Sequence, residues 1–169
     1  MSINQKLKEI YETYSIMVFN LCLNYLHNQH DAEEVTQDVF LKIHQQLDSF
    51  EKKSSIKTWI YRITVNQCLD FLKAKKRQKR FGFILPIFDN SESINTGDFD
   101  HPGILLENKE ATEAILKKIN ELPHQQKTAL ILKAMDGLSQ KEIAEVMGTS
   151  VKAVESLLSR AKANLKEKL

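Results

Sequence analysis

The chain has 169 residues, of which 42% are hydrophobic and 27% charged, enough apolar material for one packed domain or two small ones. Its formal net charge of +2 indicates no class of partner, and no apolar run is long enough to span a bilayer. The N-terminus lacks a signal-peptide core, so we expect a cytoplasmic protein without membrane insertion. Residues 1–80 and 123–169 carry net charges of +4 and +3, and residues 81–122 carry −5, as expected for two nucleic-acid-facing modules and a spacer.

The sequence contains no recognisable reaction centre. It has no glycine-rich phosphate loop, nucleophile elbow or paired catalytic constellation. The five histidines lack the spacing and the acidic context of a metal site, and Cys22 and Cys68 fit no metal or redox spacing, which predicts buried reduced thiols. We therefore expect no catalytic residue, no metal, no cofactor and no enzymatic activity.

Helical spacing of apolar residues predicts a first helix from Ile3 to about Leu26. After a polar break, Asp31 with Glu34 predicts the cap and first turn of a second helix. The inward positions of this helix are Ala32, Val35, Val39, Phe40, Ile43 and Leu47. Its outward positions are Glu33, Glu34, Gln37, Asp38 and Lys42. A merely solvated helix shows the same acidic face, so the pattern alone indicates no function.

A charged, serine-bearing loop at 48–55 precedes a third helix, predicted from Ile56 to about Arg77. Its apolar stripe consists of Ile56, Trp59, Ile60, Ile63 and Leu72. Polar and basic residues align along another face: Arg62, Asn66, Lys73 and Arg77. Six of the eight residues from Lys73 to Arg80 are basic, a density that suits a nucleic-acid backbone, although a solvated basic helix end has the same composition.

Composition changes between residues 81 and 103, where proline, glycine and small polar residues predict an interdomain linker. Six large apolar side chains surround Pro86: Phe81, Phe83, Ile84, Leu85, Ile87 and Phe88. Because such a cluster is unfavourable in water, we expect it to dock on the first domain or in the cleft between the domains. A local hydrophobic tuck without consequence is the alternative.

Two further helices follow the linker. The fourth is predicted from about Ile104 to Asn120. Pro123, whose φ suits a first helical turn, opens the fifth, which runs to about Met135 and closes at Gly137.

The C-terminal stretch has the pattern of two helices joined by a tight turn. Ser139 and Glu142 form a capping box, Gly148 ends the sixth helix, and Ser150 caps the seventh. The seventh helix has an apolar stripe, Val151, Val154, Leu157, Leu158, Ala161 and Leu165. Its free face is Lys152, Glu155, Ser156, Ser159, Arg160 and Lys162. This geometry places a recognition helix in the major groove of DNA, although an ordinary helical hairpin shares the pattern.

These elements predict an all-α protein of two small helical domains joined by a flexible linker, the C-terminal one a helix-turn-helix domain. We expect the domains at residues 1–80 and 104–169 and the linker at 81–103.

Four sequence motifs occur in the same order as in a known protein family. Residues 31–42 resemble a core-polymerase-binding helix and residues 58–66 a promoter-melting helix. Leu122-Pro123 with residues 137–144, and then residues 159–165, resemble a second, DNA-reading domain. Over nearly its whole length the chain resembles the extracytoplasmic-function (ECF) sigma factors of the sigma-70 family, which are bacterial transcription initiation subunits.

This resemblance implies core RNA polymerase as the partner, through the clamp coiled coil of its largest subunit and through its flap. The residues implied in core binding are Asp31, Glu34, Gln37 and Asp38. Promoter DNA is the second partner. The loop at 48–55 would capture an unstacked base of the downstream element. The residues implied there are Lys57, Arg62, Asn66, Lys73, Lys75, Lys76 and Arg77.

The resemblance also implies that the C-terminal recognition helix reads the upstream element as duplex. The residues implied are Lys152, Glu155, Ser156, Ser159, Arg160 and Lys162. Members of the family catalyse nothing themselves and are usually held inactive by an anti-sigma factor, which makes such a factor a further expected partner.

Two alternatives stay open on the sequence. The first is a helix-turn-helix transcription regulator that does not join RNA polymerase, but residues 1–80 contain no sign of a sensor or receiver domain. The second is an adaptor that binds only protein, which the basic run from Lys73 to Arg80 argues against.

Overall fold

The computed structural model describes residues 3–51, 53–82, 109–134 and 136–167. Within these ranges every regular element is an α-helix: α1 (Ile3–Leu26), α2 (Gln29–Gln46), α3 (Ile56–Gly82), α4 (Lys109–Asn120), α5 (His124–Ala134), α6 (Gln140–Met147) and α7 (Val151–Glu167). The chain divides into two compact units, Met1–Asp100 and His101–Leu169. The predicted all-α, two-domain fold is confirmed. None of the described helices is both long enough and apolar enough to cross a membrane.

In the described part of the first unit, α1, α2 and α3 all pack against one another. Its core contains aliphatic side chains from all three helices that are almost completely removed from solvent: Val18, Leu21, Val35, Val39, Ile43 and Ile60. Helical spacing in the sequence places each of them inward. The hydrophobic effect on these side chains holds the three helices together and fixes which faces remain outside.

Cys22 of α1 and Cys68 of α3 are buried free thiols, as predicted. Their Sγ atoms lie 3.8 Å apart in the core. The hydrogen bond from Cys68 lowers the pKa of the Cys22 thiol and outweighs the opposite effect of burial. The sequence does not indicate this proximity.

The predicted cap of the second helix is wrong by three residues. α2 begins at Gln29, and Asn28 is its N-cap, with its side-chain oxygen accepting a hydrogen bond from the Asp31 amide at 2.9 Å. Asp31 lies instead in the first helical turn, where its carboxylate faces the positive end of the helix. Leu47, predicted to point inward, is half-buried at the C-cap.

The third helix is longer than predicted. α3 does not end near Arg77 but continues to Gly82, so the basic run from Lys73 to Arg80 is helical throughout. Lysine, arginine, glutamine and alanine all favour helix, and no residue before Gly82 opposes it. The predicted docking of the apolar linker cluster concerns side chains outside the described part of the chain.

In the second unit, α5, α6 and α7 pack against one another, and α4 buries Leu116 and Ile119. The described part of α4 begins at Lys109 and ends at Asn120 as predicted. Pro123 immediately precedes α5, and its carbonyl accepts a hydrogen bond from the Lys127 amide at 3.0 Å. After α5, Gly137 takes a left-handed conformation with φ of 65°, which ends the helix as predicted.

Candidate functional site

An exposed row on α2 brings together three of the predicted polymerase-binding residues. Glu34, Gln37 and Asp38 are exposed, and the last two follow Glu34 by three and four positions, so both share a face with it. Leu41 continues this row and is 58% exposed. We call these four residues the α2 docking row. Leu41 is not among the predicted site residues, because it follows Phe40 and looks like core. Its spacing of seven from Glu34 is the signal that identifies it.

Asp31, the fourth predicted polymerase-binding residue, is set back from the α2 docking row. Its side chain is 16% exposed, and its Oδ2 lies 2.5 Å from Nζ of Lys75 on α3. The family resemblance implies polymerase as the partner of Asp31 and DNA as the partner of Lys75. Within the protein, these two side chains are bonded to each other.

His30 lies close to two carboxylates, those of Asp31 and Glu34. Ligand atoms of His30, Asp31 and Glu34 lie within 4.8 Å of one another, which corrects the prediction that the histidines lack acidic context. Asp31 is already bonded to Lys75, and the other two side chains are exposed. The group therefore has the composition of a surface charge cluster, and we assign no metal to it.

Two aromatic rings pack against each other between the loop before α3 and the first turn of that helix. The rings of Phe50 and Trp59 are 4.7 Å apart at an interplanar angle of 34°, and both side chains are half-buried. Ser55 caps α3, since its Oγ accepts from the Thr58 amide at 3.1 Å. Exposed Lys57 places its Nζ 6.0 Å from the centre of the Tyr61 ring. Tyr61 is buried, so the half-buried rings of Phe50 and Trp59 are the aromatic surface that suits the stacking of an unpaired base.

The polar face of α3 is continuous with its basic end. Asn66 is exposed and Arg62 half-buried, one turn apart on this face. Further along the helix, a shallow open groove is lined by Asp70, Lys73, Lys76, Arg77 and Arg80. Lys73 is 3.4 Å from Asp70, and its side chain is 69% exposed. Of the residues predicted to contact the downstream element, Arg62 is half-buried and the others are exposed on α3: Lys57, Asn66, Lys73, Lys75, Lys76 and Arg77.

A three-residue turn, 148–150, joins α6 to α7, and both helices begin with the predicted caps. Glu142 N donates to Ser139 Oγ at 3.2 Å, and Ser139 N donates to Glu142 Oε2 at 2.8 Å, which completes the capping box. Gly148 has φ of 64°, the left-handed conformation that favours glycine. Ser150 Oγ accepts from Ala153 N at 3.1 Å. This confirms the helix-turn-helix geometry and fixes where α7 begins.

The free face of α7 contains all six predicted upstream-element residues. Ser156 is half-buried, and the other five are exposed: Lys152, Glu155, Ser159, Arg160 and Lys162. The opposite face buries Val154, Leu158 and Ala161, as predicted. Val151, predicted to be part of the buried stripe, is 44% exposed, because no earlier turn of α7 covers its side chain.

Two family models match the chain. Sigma-70 region 2 matches residues 10–78, and Sigma-70, region 4 matches residues 112–165. The ECF RNA polymerase sigma-E factor of Haemophilus influenzae is 31% identical over 160 residues, which cover 92% of this chain and 83% of that protein. The chain belongs to the ECF sigma factors. The ECF sigma factor SigW of Bacillus subtilis is 28% identical, with 95% of this chain and 87% of that protein covered.

Two solved structures share this fold. The sigma factor RpoE of Bartonella quintana, in complex with the anti-sigma factor NepR, has a TM-score of 0.69 at 22% identity and covers 96% of both chains. CnrH in complex with the cytosolic domain of CnrY has a TM-score of 0.68 at 21% identity and covers 97% of this chain and 87% of that one. The family-model matches and the curated relatives confirm the family predicted from the order of motifs.

Proposed function

We propose that the protein is an alternative sigma factor that binds core RNA polymerase and directs it to specific promoters. The observation that carries this proposal is the occurrence of both sigma-70 regions, in order, on one helical chain. A helix-turn-helix regulator outside the family would not be expected to contain sigma-70 region 2. As a transcription initiation factor the protein contributes specificity, and the chemistry belongs to the polymerase. Its working compartment is therefore the cytoplasm, where the polymerase is.

In this proposal the α2 docking row binds the clamp coiled coil of the largest polymerase subunit. Two carboxylates and an amide present negative potential and hydrogen-bond acceptors to a basic partner. Exposed Leu41 continues the polar row with an apolar side chain, whose burial against the partner adds affinity through the hydrophobic effect. Asp31 acts through its bond to Lys75 rather than as a direct contact.

The loop at 48–55 and α3 act on the downstream promoter element. An unstacked base stacks near the Phe50–Trp59 pair, and Asn66, whose amide both donates and accepts, reads its edge. Lys73, Lys76 and Arg77 hold the backbone beside it, because each displaces condensed counterions from phosphate. The domain roles follow from this division: residues 1–80 bind polymerase and melt DNA, residues 81–103 connect, and residues 104–169 read the upstream element.

The second unit reads the upstream element as duplex. α7 lies in the major groove, and the capped turn at residues 148–150 sets its angle of entry. Arg160 and Lys152, both exposed, contact phosphate or base edges. The unit also lies against the polymerase flap. Because the solved relative RpoE is in complex with the anti-sigma factor NepR, we include such a factor among the partners of this chain.

Run-off transcription tests the proposal. Core polymerase from the source organism is incubated with promoter libraries, with and without the full-length chain. Transcripts that start at specific sites only when the chain is present are the expected result. Promoter binding by the chain without any effect on initiation would instead identify a regulator that does not join polymerase.

A further inference from the structure

Glu155 is an unpaired carboxylate on the reading face of α7. It is exposed and lies next to Val154, which is completely buried, so the core fixes the direction in which Glu155 points. The sequence offers Lys152 and Lys162 as candidate partners, but Glu155 forms no ion pair with any residue that the structure describes. Its negative charge therefore stays available for an external partner.

A free carboxylate is unfavourable on a surface that approaches DNA. Phosphates line both edges of the major groove, and a carboxylate near them is repelled. It becomes favourable only where it accepts a hydrogen bond from a base. In the major groove the donors are the N4 amine of cytosine and the N6 amine of adenine. Adenine places its N7 acceptor beside that amine and would repel a carboxylate oxygen, whereas cytosine has no acceptor at that position.

The position of Glu155 in the helix favours base contact over phosphate contact. It is the fifth residue of α7, and the N-terminal residues of a recognition helix are those that reach base edges. Lys152 and Ser159 lie one turn before and one turn after it on the same face. A cation on that face can hold phosphate while Glu155 reaches the floor of the groove.

We propose that Glu155 is a specificity-determining residue for the upstream promoter element and that it accepts a hydrogen bond from the N4 amine of a cytosine. This inference rests on the proposed function of α7 as the upstream reader. It identifies the base that this position selects.

A randomised upstream element, selected by reconstituted holoenzyme, tests the inference. We expect wild type to prefer cytosine at one position by about tenfold. Glu155→Gln should change that preference to adenine, because a glutamine amide pairs with the N6 and N7 atoms of adenine. Glu155→Ala should lose the preference at this position and keep the rest of the selected sequence, since its helix and core contacts are unchanged.

Glu167→Gln is the matched control. Glu167 is an exposed carboxylate on the same helix, but it lies in the last turn, far from the residues that enter the groove. The substitution makes the same change in charge and shape. We expect the selected sequence to be identical to that of wild type.

The possible outcomes distinguish the role of Glu155 from the proposed reading of the upstream element by α7. Identical selected sequences from wild type, Glu155→Gln and Glu155→Ala would overturn the inference and leave upstream reading by α7 intact. A wild-type preference for another base at the position that changes would overturn the assignment of cytosine. If wild-type holoenzyme selects no upstream sequence at all, the proposed role of α7 fails and the inference fails with it.

Discussion

Nζ of Lys75 lies 2.5 Å from Oδ2 of Asp31, so the basic part of α3 is bonded to the first turn of α2. The sequence predicts one of these residues on DNA and the other on polymerase. The Lys75 side chain is 45% exposed, and its Nζ also lies 5.7 Å from the centre of the Phe71 ring. Lys75 is therefore held by contacts within the protein, unlike its exposed neighbours Lys76 and Arg77.

This difference predicts unequal roles within the basic run. Arg77→Ala should lower the salt dependence of promoter binding by holoenzyme, because each lost phosphate contact reduces the slope of log affinity against log salt by about 0.9. Lys75→Ala should leave that slope nearly unchanged, since Asp31 already neutralises the ammonium group. The measurement is holoenzyme affinity for one promoter fragment over a series of salt concentrations.

Lys8→Ala is the control for this series. Lys8 is an exposed lysine of α1 with Glu12 3.8 Å away, and it lies outside the predicted DNA surface. Its slope should equal that of wild type. If Lys75→Ala and Arg77→Ala reduce the salt slope equally, Lys75 leaves Asp31 and contacts a phosphate when DNA is bound.

The α2 docking row should determine polymerase binding. Changing Gln37 and Asp38 together to lysine places like charge against a basic partner, and we expect lost co-purification with core polymerase at unchanged helicity. Leu41→Ala should weaken binding by about 1 to 2 kcal/mol, because a leucine side chain that becomes buried at an interface contributes this much.

Glu113→Lys serves as the charge-reversal control for the docking row. Glu113 is exposed on α4, in the other compact unit. Its co-purification with core polymerase should be normal. If the doubly substituted α2 variant also co-purifies normally, the docking face has been placed on the wrong surface.

The capping box of α6 should contribute measurably to the stability of the second unit. Ser139→Ala removes the acceptor of the Glu142 amide and should lower the free energy of unfolding of that unit by about 1 kcal/mol. Ser139→Asp keeps an acceptor at the same position and should be close to wild type. Circular dichroism during denaturation measures the change.

Trp59, the only tryptophan of the chain, provides an internal reference for that experiment. It lies in the first unit, so its fluorescence follows the unfolding of α1, α2 and α3. A shift of the circular dichroism transition without a shift in fluorescence is expected. A shift of both would show that the two units unfold together.

The two thiols offer a test of the core between α1 and α3. Because a hydrogen bond from Cys68 lowers the pKa of Cys22 while burial raises it, Cys68→Ala should raise that pKa. Cys68→Ser keeps a hydroxyl donor and should leave the pKa of Cys22 nearer its wild-type value. NMR of the Cys22 Cβ carbon over a pH series measures the thiol titration. An unchanged pKa in Cys68→Ala would place the two sulfur atoms farther apart in solution.

Features that depend on nearby residues were predictable from the sequence. The capping box at Ser139 and the glycine turn at Gly148 arise from contacts within about four positions, and the apolar stripe of α7 repeats every three or four positions. The helix starts were less certain, since both Asn28 and Asp31 can cap a helix and only the backbone conformation decides between them.

Features that depend on packing were not predictable. Cys22 and Cys68 are 46 positions apart and meet only because α1 and α3 share a core. The bond between Asp31 and Lys75 likewise needs the relative placement of α2 and α3. A one-dimensional pattern reports which face of a helix is apolar, but it does not report which residues of two helices come into contact.

α3 is one uninterrupted helix of 27 residues, about 40 Å long at a rise of about 1.5 Å per residue. Asn66 and Arg80 share a face and are separated by about 21 Å along the axis, the length of about six base pairs of duplex. In the proposed function, α3 thus sets the distance between Asn66, which reads a base, and the basic residues that hold the backbone. Removing one residue between them would shorten this distance by only about 1.5 Å but rotate the basic end about the helix axis by about 100°. A deletion or insertion in α3 therefore affects the direction in which the basic residues point far more than their distance from Asn66.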